Sequence, residues 1–391
     1  MPVMRIPYTD PLPAPRIIPA SAATASGAIA ALAEFLNTST SPASPSPPNT
    51  VLLTGAGISV ASGLADYRGT NGTYTLNKTY RPIYYNEFTS HHSSRKRYWA
   101  RSYLGWTNLE KAKPNATHYA IGELGRLGLV DQVITQNVDS FHPRAHPDLS
   151  TIELHGYLRA TVCLSCRKEH DRKKFQDQLS KLNPAWHEFL QRMLESGALT
   201  TEDPHERQIR GLRSNPDGDV DVGNADYTTF KYPACPTCLE KPPTLADGST
   251  GKVEVDHDGA WLPSSDAGVL KPAVIMFGES IPSAVKTATE NAIDQASKLL
   301  VVGSSLATYS AWRLVKRANE QGMSIGILNL GGVRGEEHFF TNVPPANTGK
   351  YAVRASEYSD VVLPEVVKVV EELREYQSRG QPHAAAAAAA R

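Results

Sequence analysis

The sequence predicts an α/β fold, a Rossmann-like parallel sheet domain interrupted by a smaller inserted domain. Short apolar runs alternate with helical patterns, as buried parallel strands joined by crossover helices require. The first run enters a glycine-rich turn, the usual opening of a nucleotide-binding unit. All four cysteines stand as two Cys-x-x-Cys pairs inside a stretch that breaks the alternation, which makes the inserted domain a zinc-binding one.

The elements follow in order. Residues 21–36 (SAATASGAIAALAEFL) place Ile29, Leu32, Ala33 and Leu36 at helical spacing behind Ser and Thr caps. The Ser/Pro/Thr-rich stretch 37–50 predicts a loop. VLLT at 51–54 predicts a buried parallel strand. Similar runs recur at 133–135 (VIT), 273–277 (AVIMF), 299–302 (LLVV), 325–330 (IGILNL) and 361–363 (VVL). Helical patterns at 116–127, 283–298 and 311–322 precede three of these runs, and 364–377 closes the series with Pro364 expected in a first turn. From about 160 to 271 the chain is rich in Gly, Pro and Asp and offers no parallel-strand run. The predicted domains are therefore a discontinuous Rossmann-type unit of 20–160 and 271–378, a small zinc-binding unit of 161–270 with loop insertions, an N-terminal extension of 1–19 and a low-complexity tail of 379–391.

Composition narrows the function classes. The 391 residues are 40% hydrophobic, enough for a sizeable core. Lysine plus arginine equals aspartate plus glutamate at 40 each, and no basic run marks a nucleic-acid face, so no nucleic-acid partner is expected. No apolar stretch reaches the length of a bilayer span, so no membrane partner is expected either. With no secretory signal visible, the cysteines read as metal ligands in a reducing compartment. Arg5, Arg16 and the Ser/Ala-rich stretch 20–26 fit a mitochondrial presequence, whereas Asp10 and the prolines at 2, 7, 11, 13, 15 and 19 oppose one.

The chemistry-bearing residues fall into blocks. Gly55-Ala56-Gly57-Ile58-Ser59, with Gly63 beyond, lets backbone N–H groups approach a pyrophosphate. Val60 takes the third glycine position, so an ordinary strand-to-helix turn also explains this block alone. Gln136, Asn137 and Asp139 follow the run VIT at what would be the carboxyl end of a strand, offering amides and a carboxylate to a ligand or, equally, to a local turn. His155, in Glu153-Leu154-His155-Gly156, is either structural or a proton acceptor suited to neutral pH. Cys163, Cys166, Cys235 and Cys238 have the spacing of a closed four-thiolate zinc site; a pair of redox dithiols is the alternative. Such a site has no open position, so the zinc ion is expected to be structural.

Taken as strings, these blocks resemble the sirtuin family. GAGISVASGLADYRG (55–69) is similar to its GAGIS-x-x-SGIPDFRG signature, with Ala65 in place of proline. TQNVD (135–139) resembles TQN-[IV]-D, although the family then continues Leu-His and Lys-Ala-Gly where this chain has Phe141-His142-Pro143-Arg144-Ala145-His146. Leu154-His155-Gly156, KPAVIMFGE (271–279), Gly303-Ser304-Ser305-Leu306 and Asn329-Leu330-Gly331 resemble further family motifs in the same order. RYWARSYLGW (97–106), KPNATH (113–118), LNPAW (182–186) and PDGDV (216–220) resemble the class II, mitochondrial-type members.

The resemblance implies an NAD-dependent protein-lysine deacylase, acting on acetyl or longer acyl groups including lipoyl. It would transfer the acyl group to ADP-ribose and release nicotinamide. It implies His155 as the catalytic base. Gly55, Ala56, Gly57, Ile58, Ser59, Asp66, Tyr67, Arg68, Gln136, Asn137, Asp139, Gly303, Ser304, Ser305, Asn329, Leu330 and Gly331 would hold NAD. Val274, Met276, Phe277, Gly278 and Glu279 would meet an acylated protein substrate paired as an added strand. The class resemblance implies the mitochondrial matrix, with cytoplasm or nucleus as alternatives. A protein mono-ADP-ribosyltransferase shares the same NAD cleavage, and a non-catalytic NAD-sensing scaffold would keep the fold but not the intact Gln136, Asn137, Asp139 and His155. The stretch 239–270 has no function legible in it, and neither does the oligomeric state.

Overall fold

The computed structural model describes residues 11–39, 49–76, 80–197, 212–214, 220–222, 225–341 and 343–379. The strands, in chain order, are β1 Thr50–Thr54, β2 Gln132–Thr135, β3 Thr151–Glu153, β4 Gly156–Cys163, β5 Glu169–Asp171, β6 Leu212–Ser214, β7 Val220–Val222, β8 Leu270–Val274, β9 Lys298–Val302, β10 Ser324–Leu328 and β11 Ala352–Ala355.

Six of them form one parallel sheet in the order β11-β10-β9-β1-β2-β3. β1 lies at its centre, with Leu52 beside Val133 on one side and Leu300 on the other. Because side chains alternate across a strand, the sheet feeds two cores. Leu52, Val133, Leu300 and Leu328 face the helices Ala25–Asn37, Ala116–Arg126 and Ser359–Arg379, while Val51, Leu53, Ile134, Val301 and Ile327 face Ser283–Gln295 and Tyr309–Glu320. Every residue of β1 and β9 is buried, which explains the unbroken apolar runs.

A third core joins the cysteine lobe to an aromatic helix. His92–Lys111 buries Tyr98, Trp99 and Tyr103 against Phe175, Phe230, Tyr232 and the cysteines. In this lobe β4 pairs antiparallel with β5 and β8, and β6 with β7. No helix among the described residues is long and apolar enough to cross a membrane.

Several expectations require correction. The run 361–363 is not a strand: it lies in the helix Ser359–Arg379, where Val362, Leu363, Val366, Val367 and Val370 make one buried stripe of helical period. Pro364 consequently sits inside that helix and not in its first turn. The edge strand is β11, AVRA. The run 273–277 is not parallel either; β8 covers Leu270–Val274 and runs antiparallel to β4. The segment after β1 is a 3-10 helix, Ala56–Ser62, ended by Gly63 in the left-handed region at φ 80°. Residues 1–10 of the N-terminal extension, 40–48 of the loop 37–50, 216–219 of the string 216–220 and the tail from 380 lie outside the described residues.

Candidate active site

The carboxyl ends of β1, β2 and β9 converge, and their sequence-adjacent motifs meet there. Gly55 N–H donates to Val302 O at 3.1 Å and Gly57 N–H to Gly303 O at 2.9 Å, so the two glycine loops are laced together by backbone. Gly303 holds φ at 60°, and a Cβ there would come 2.6 Å from Ile58 N; Cβ atoms on Gly55 or Gly57 would each come 2.8 Å from Gly303 O. Only glycine fits this approach.

The amide and carboxylate cluster is tied to that cradle. Ser59 Oγ donates to Asp139 Oδ2 at 2.7 Å and accepts from Asn137 Nδ2 at 3.1 Å; Asn137 Nδ2 also reaches Gly55 O at 3.2 Å. Burial raises the Asp139 carboxyl pKa, opposed by the Phe141 N–H and the Ser59 hydroxyl. Gln136 Nε2 donates to Ser304 Oγ at 2.7 Å and Thr54 O at 3.2 Å, and Gln136 Oε1 accepts from Thr308 Oγ1 at 2.9 Å. Gln136 thus fastens the ends of three loops.

His155 follows β3. Its Nδ1 lies 3.1 Å from Gln136 O and its Nε2 2.8 Å from Ser310 Oγ. A carbonyl can only accept, so Nδ1 carries the proton and Nε2 presents its lone pair to the Ser310 hydroxyl. Burial lowers the imidazole to about 4, outweighing the Gln136 carbonyl that favours protonation, so the ring is neutral near pH 7.

On the loop after the cradle, both Asp66 carboxylate oxygens accept from Gly69 N–H, Tyr67 stacks on Tyr74 at 5.7 Å and the Arg68 guanidinium lies 5.0 Å over the same ring. Asn329 and Gly331 follow β10, with Leu330 half exposed between them. In the expected substrate clasp, Lys271 Nζ pairs with Glu279 at 3.3 Å and donates to Val274 O at 2.7 Å. Glu279 in turn accepts from Met276 N–H at 2.9 Å, and Phe277 O accepts from Tyr85 N–H at 2.9 Å. Gly278 turns the clasp at φ 82°. Ile275 N–H donates to His155 O at 2.8 Å, which couples the clasp to the histidine.

The cysteines come together away from this edge. Cys163 and Cys238 Sγ are 3.6 Å apart, Cys166 and Cys235 Sγ 3.7 Å, and all four sulfurs lie within 4.8 Å of one another. Four thiolates about 2.3 Å from a tetrahedral zinc are spaced about 3.8 Å apart, so the donor set fits that ion, and the separations are far too long for disulfides. Neighbouring sulfurs hold the Cys163 thiol below its usual range and push the Cys235 thiol up. The His170 Nε2, 3.3 Å from Cys235 Sγ, was not anticipated.

Sequence reasoning also missed Thr308, Ser310, Glu336 and Arg354, since their roles arise from contacts distant in sequence. Asn115 was visible as a motif residue without a role; its Nδ2 donates to Ile58 O at 2.7 Å and Ser62 Oγ at 2.9 Å, pinning the 3-10 helix.

A parallel sheet that gathers these groups at its carboxyl edge, with thiolates set apart from it, defines a dinucleotide-binding α/β enzyme with a structural metal lobe. The family model described as the Sir2 family matches residues 55–310. The chain belongs to that family. It is 44% identical to the NAD-dependent protein deacylase SIR4 of Batrachochytrium dendrobatidis over 74% of this chain and 83% of that one. It is 36% identical to the NAD-dependent protein deacylase SRT2 of Arabidopsis thaliana over 73% of this chain and 67% of that one. Among solved structures, a Sir2 complex with a deacetylated p53 peptide and 3′-O-acetyl ADP-ribose superposes with a TM-score of 0.53 at 22% identity, covering 86% of this chain and 96% of that chain. A Sir2 homologue bound to ADP-ribose gives 0.52 at 21% identity, over 88% and 97%. Both share the fold.

Proposed function

We propose that this chain is an NAD-dependent protein-lysine deacylase that transfers the acyl group to ADP-ribose and releases nicotinamide. The observation that carries it is His155: a buried, neutral imidazole whose tautomer is fixed by Gln136 O, leaving Nε2 as the proton-accepting atom beside the glycine cradle. Bound NAD supplies the reactive ribose carbon and the hydroxyl that takes the acyl group. The chain's own part is to orient and to move a proton. Asn137 and Asp139, braced by Ser59, present an amide and a carboxylate to the nicotinamide carboxamide. Ser310 holds Nε2 until a ribose hydroxyl replaces it as the donor. The Tyr67–Arg68 loop covers the site, and the clasp from Val274 to Glu279 takes the acyl-lysine peptide. The zinc ion, on the four cysteines, holds its lobe and stays out of the chemistry.

Within the family we assign the chain to the class II, mitochondrial-type group and to the mitochondrial matrix. The support is the RYWARSYLGW string, which lies on the helix His92–Lys111. A fluorescent fusion of the full chain that stays out of mitochondria would refute that placement.

The test of function is a mass-spectrometric assay of NAD turnover with acetyl-, longer acyl- and lipoyl-lysine peptides. The wild type is expected to release nicotinamide and acyl-ADP-ribose, and His155→Ala to lose at least 100-fold in kcat, within the range a positioned general base contributes. ADP-ribose attached to protein without any deacylated peptide would instead make the enzyme a transferase; NAD bound but never cleaved would leave a scaffold.

A further inference from the structure

The chain's N-terminal extension is built into the loop expected to hold NAD. Glu336 and Arg354 form an ion pair at 3.1 Å, with 2% and 0% side-chain exposure respectively. Among the described residues every side-chain polar atom of the pair is hydrogen-bonded. Arg354 donates through Nη1 to Asn329 O at 2.9 Å and Ala355 O at 2.6 Å, and through Nη2 to Gly331 O. Glu336 Oε2 accepts from Val333 N–H at 2.8 Å and from Arg354 Nε at 3.2 Å. The pair therefore fixes the backbone on both sides of Leu330. A buried charge pair is strongly destabilising only when it is broken, so its worth here is geometric.

The remaining carboxylate oxygen, Glu336 Oε1, is satisfied from outside the loop by the backbone N–H of Arg16 at 3.0 Å. Two residues on, Ile18 exchanges both backbone hydrogen bonds with Arg354, at 3.0 Å and 2.7 Å, as an antiparallel bridge on the open edge of β11. Three residues before Arg16, the Pro13 carbonyl abuts Gly332 so closely that a Cβ on that glycine would lie 1.9 Å from it. The loop reaches the glycine cradle as well, since Arg334 N–H donates to Ser305 O at 2.9 Å.

We infer that residues 12–18 are a positioning strap for the cofactor: through Glu336 and Arg354 they set the shape of the 329–336 loop and hence the affinity for the ADP-ribose part of NAD. This rests on the deacylase reading only in taking that loop as an NAD contact. Arg16 contributes its N–H alone, because its side chain is exposed.

The discriminating pair is Arg16→Pro, which removes the N–H, and Arg16→Ala, which keeps it. A second pair compares chains beginning at Leu12 and at Ile17. Binding is read by calorimetric titration with ADP-ribose, which needs no turnover, and KM and kcat are read separately for NAD and for an acyl peptide. Arg16→Pro and the chain from Ile17 are expected to bind ADP-ribose about tenfold more weakly than their partners and to raise the KM for NAD similarly. kcat and the peptide KM should stay within about twofold. A merely structural strap would lower the melting temperature without this split. Equal ADP-ribose affinity within both pairs overturns the inference while leaving the deacylase reading intact. Failure of the wild type to bind ADP-ribose at all sinks both.

Discussion

Ser59→Ala is the most informative single change in the cradle. The hydroxyl is nearly fully buried and has two partners at once: it donates to Asp139 Oδ2 at 2.7 Å and accepts from Asn137 Nδ2 at 3.1 Å. Alanine fits the 3-10 helix without steric change, so the effect isolates the hydrogen bonds. A hydrogen bond to a charged group contributes about 1.5–3 kcal/mol, and an orphaned buried donor costs about 1–3 kcal/mol. Asn137 keeps Gly55 O as a second acceptor, so the carboxylate bears most of the loss. If about 1.4–2.8 kcal/mol of this falls on the transition state, kcat/KM drops about 10- to 100-fold. The sign in pH follows. Burial already raises the Asp139 pKa and the Ser59 bond lowers it, so removing the bond raises it further. The ionised carboxylate is then lost at a higher pH, and the acid limb of the kcat/KM profile moves upward. The assay is kcat/KM against pH for both proteins, with melting temperature as the control for folding. A profile that overlays the wild type, with kcat/KM within twofold at its plateau, would refute the account of Ser59 as the brace of Asp139.

The other predictions concern the metal lobe and the glycine crossing. Chelation, or Cys235→Ser, should release one zinc per chain and unfold the cysteine lobe. Structural zinc binding amounts to about 10–16 kcal/mol in small fingers, comparable with the whole stability of a domain. Trp99 and Trp261 belong to that core, so their fluorescence should shift to the red; an unchanged spectrum after complete zinc removal would count against a structural site. Gly303→Ala places a Cβ 2.6 Å from Ile58 N at a φ of 60°, which costs about 1–2 kcal/mol in backbone conformation before the clash. It should weaken ADP-ribose binding about tenfold or more, and wild-type affinity would show that the two loops need not touch.

What the sequence conveyed about the fold depended on how directly burial shapes composition. β1 and β9 are buried along their whole length, and they stand out as VLLT and LLVV. β11 is just as buried, but it carries Arg354, whose charge is offset by Glu336 eighteen residues earlier, a relation that no local pattern displays. The neighbouring VVL then drew the strand assignment, although Val366, Val367 and Val370 continue its spacing as a helix. β8 shows the limit of short apolar runs: five buried or half-buried residues look alike in a parallel and an antiparallel sheet, and direction is set by partners.

Gly55, Gly57, Ser59, Asn137 and Asp139 stood out because each belongs to a recognisable string, whereas Thr308 and Ser310 belong to none and enter only through contacts with Gln136 and His155. The departure at His146 shows how far a single substitution reaches. A histidine where the family has glycine needs room, and Gly122 on the helix Ala116–Arg126 provides it: a Cβ there would come 2.9 Å from His146 Cβ. His146 Nε2 then meets His142 Nδ1 at 2.9 Å, and His142 Nε2 meets Thr54 Oγ1 at 2.9 Å, directly before Gly55. Two protonated rings would set donor against donor in that contact, whereas neutral rings give one donor and one acceptor. Burial lowers both imidazoles and so holds them in the state the contact requires. The substitution is therefore absorbed by a glycine on one side and by desolvation on the other, and the strand end that leads into the cradle keeps its position.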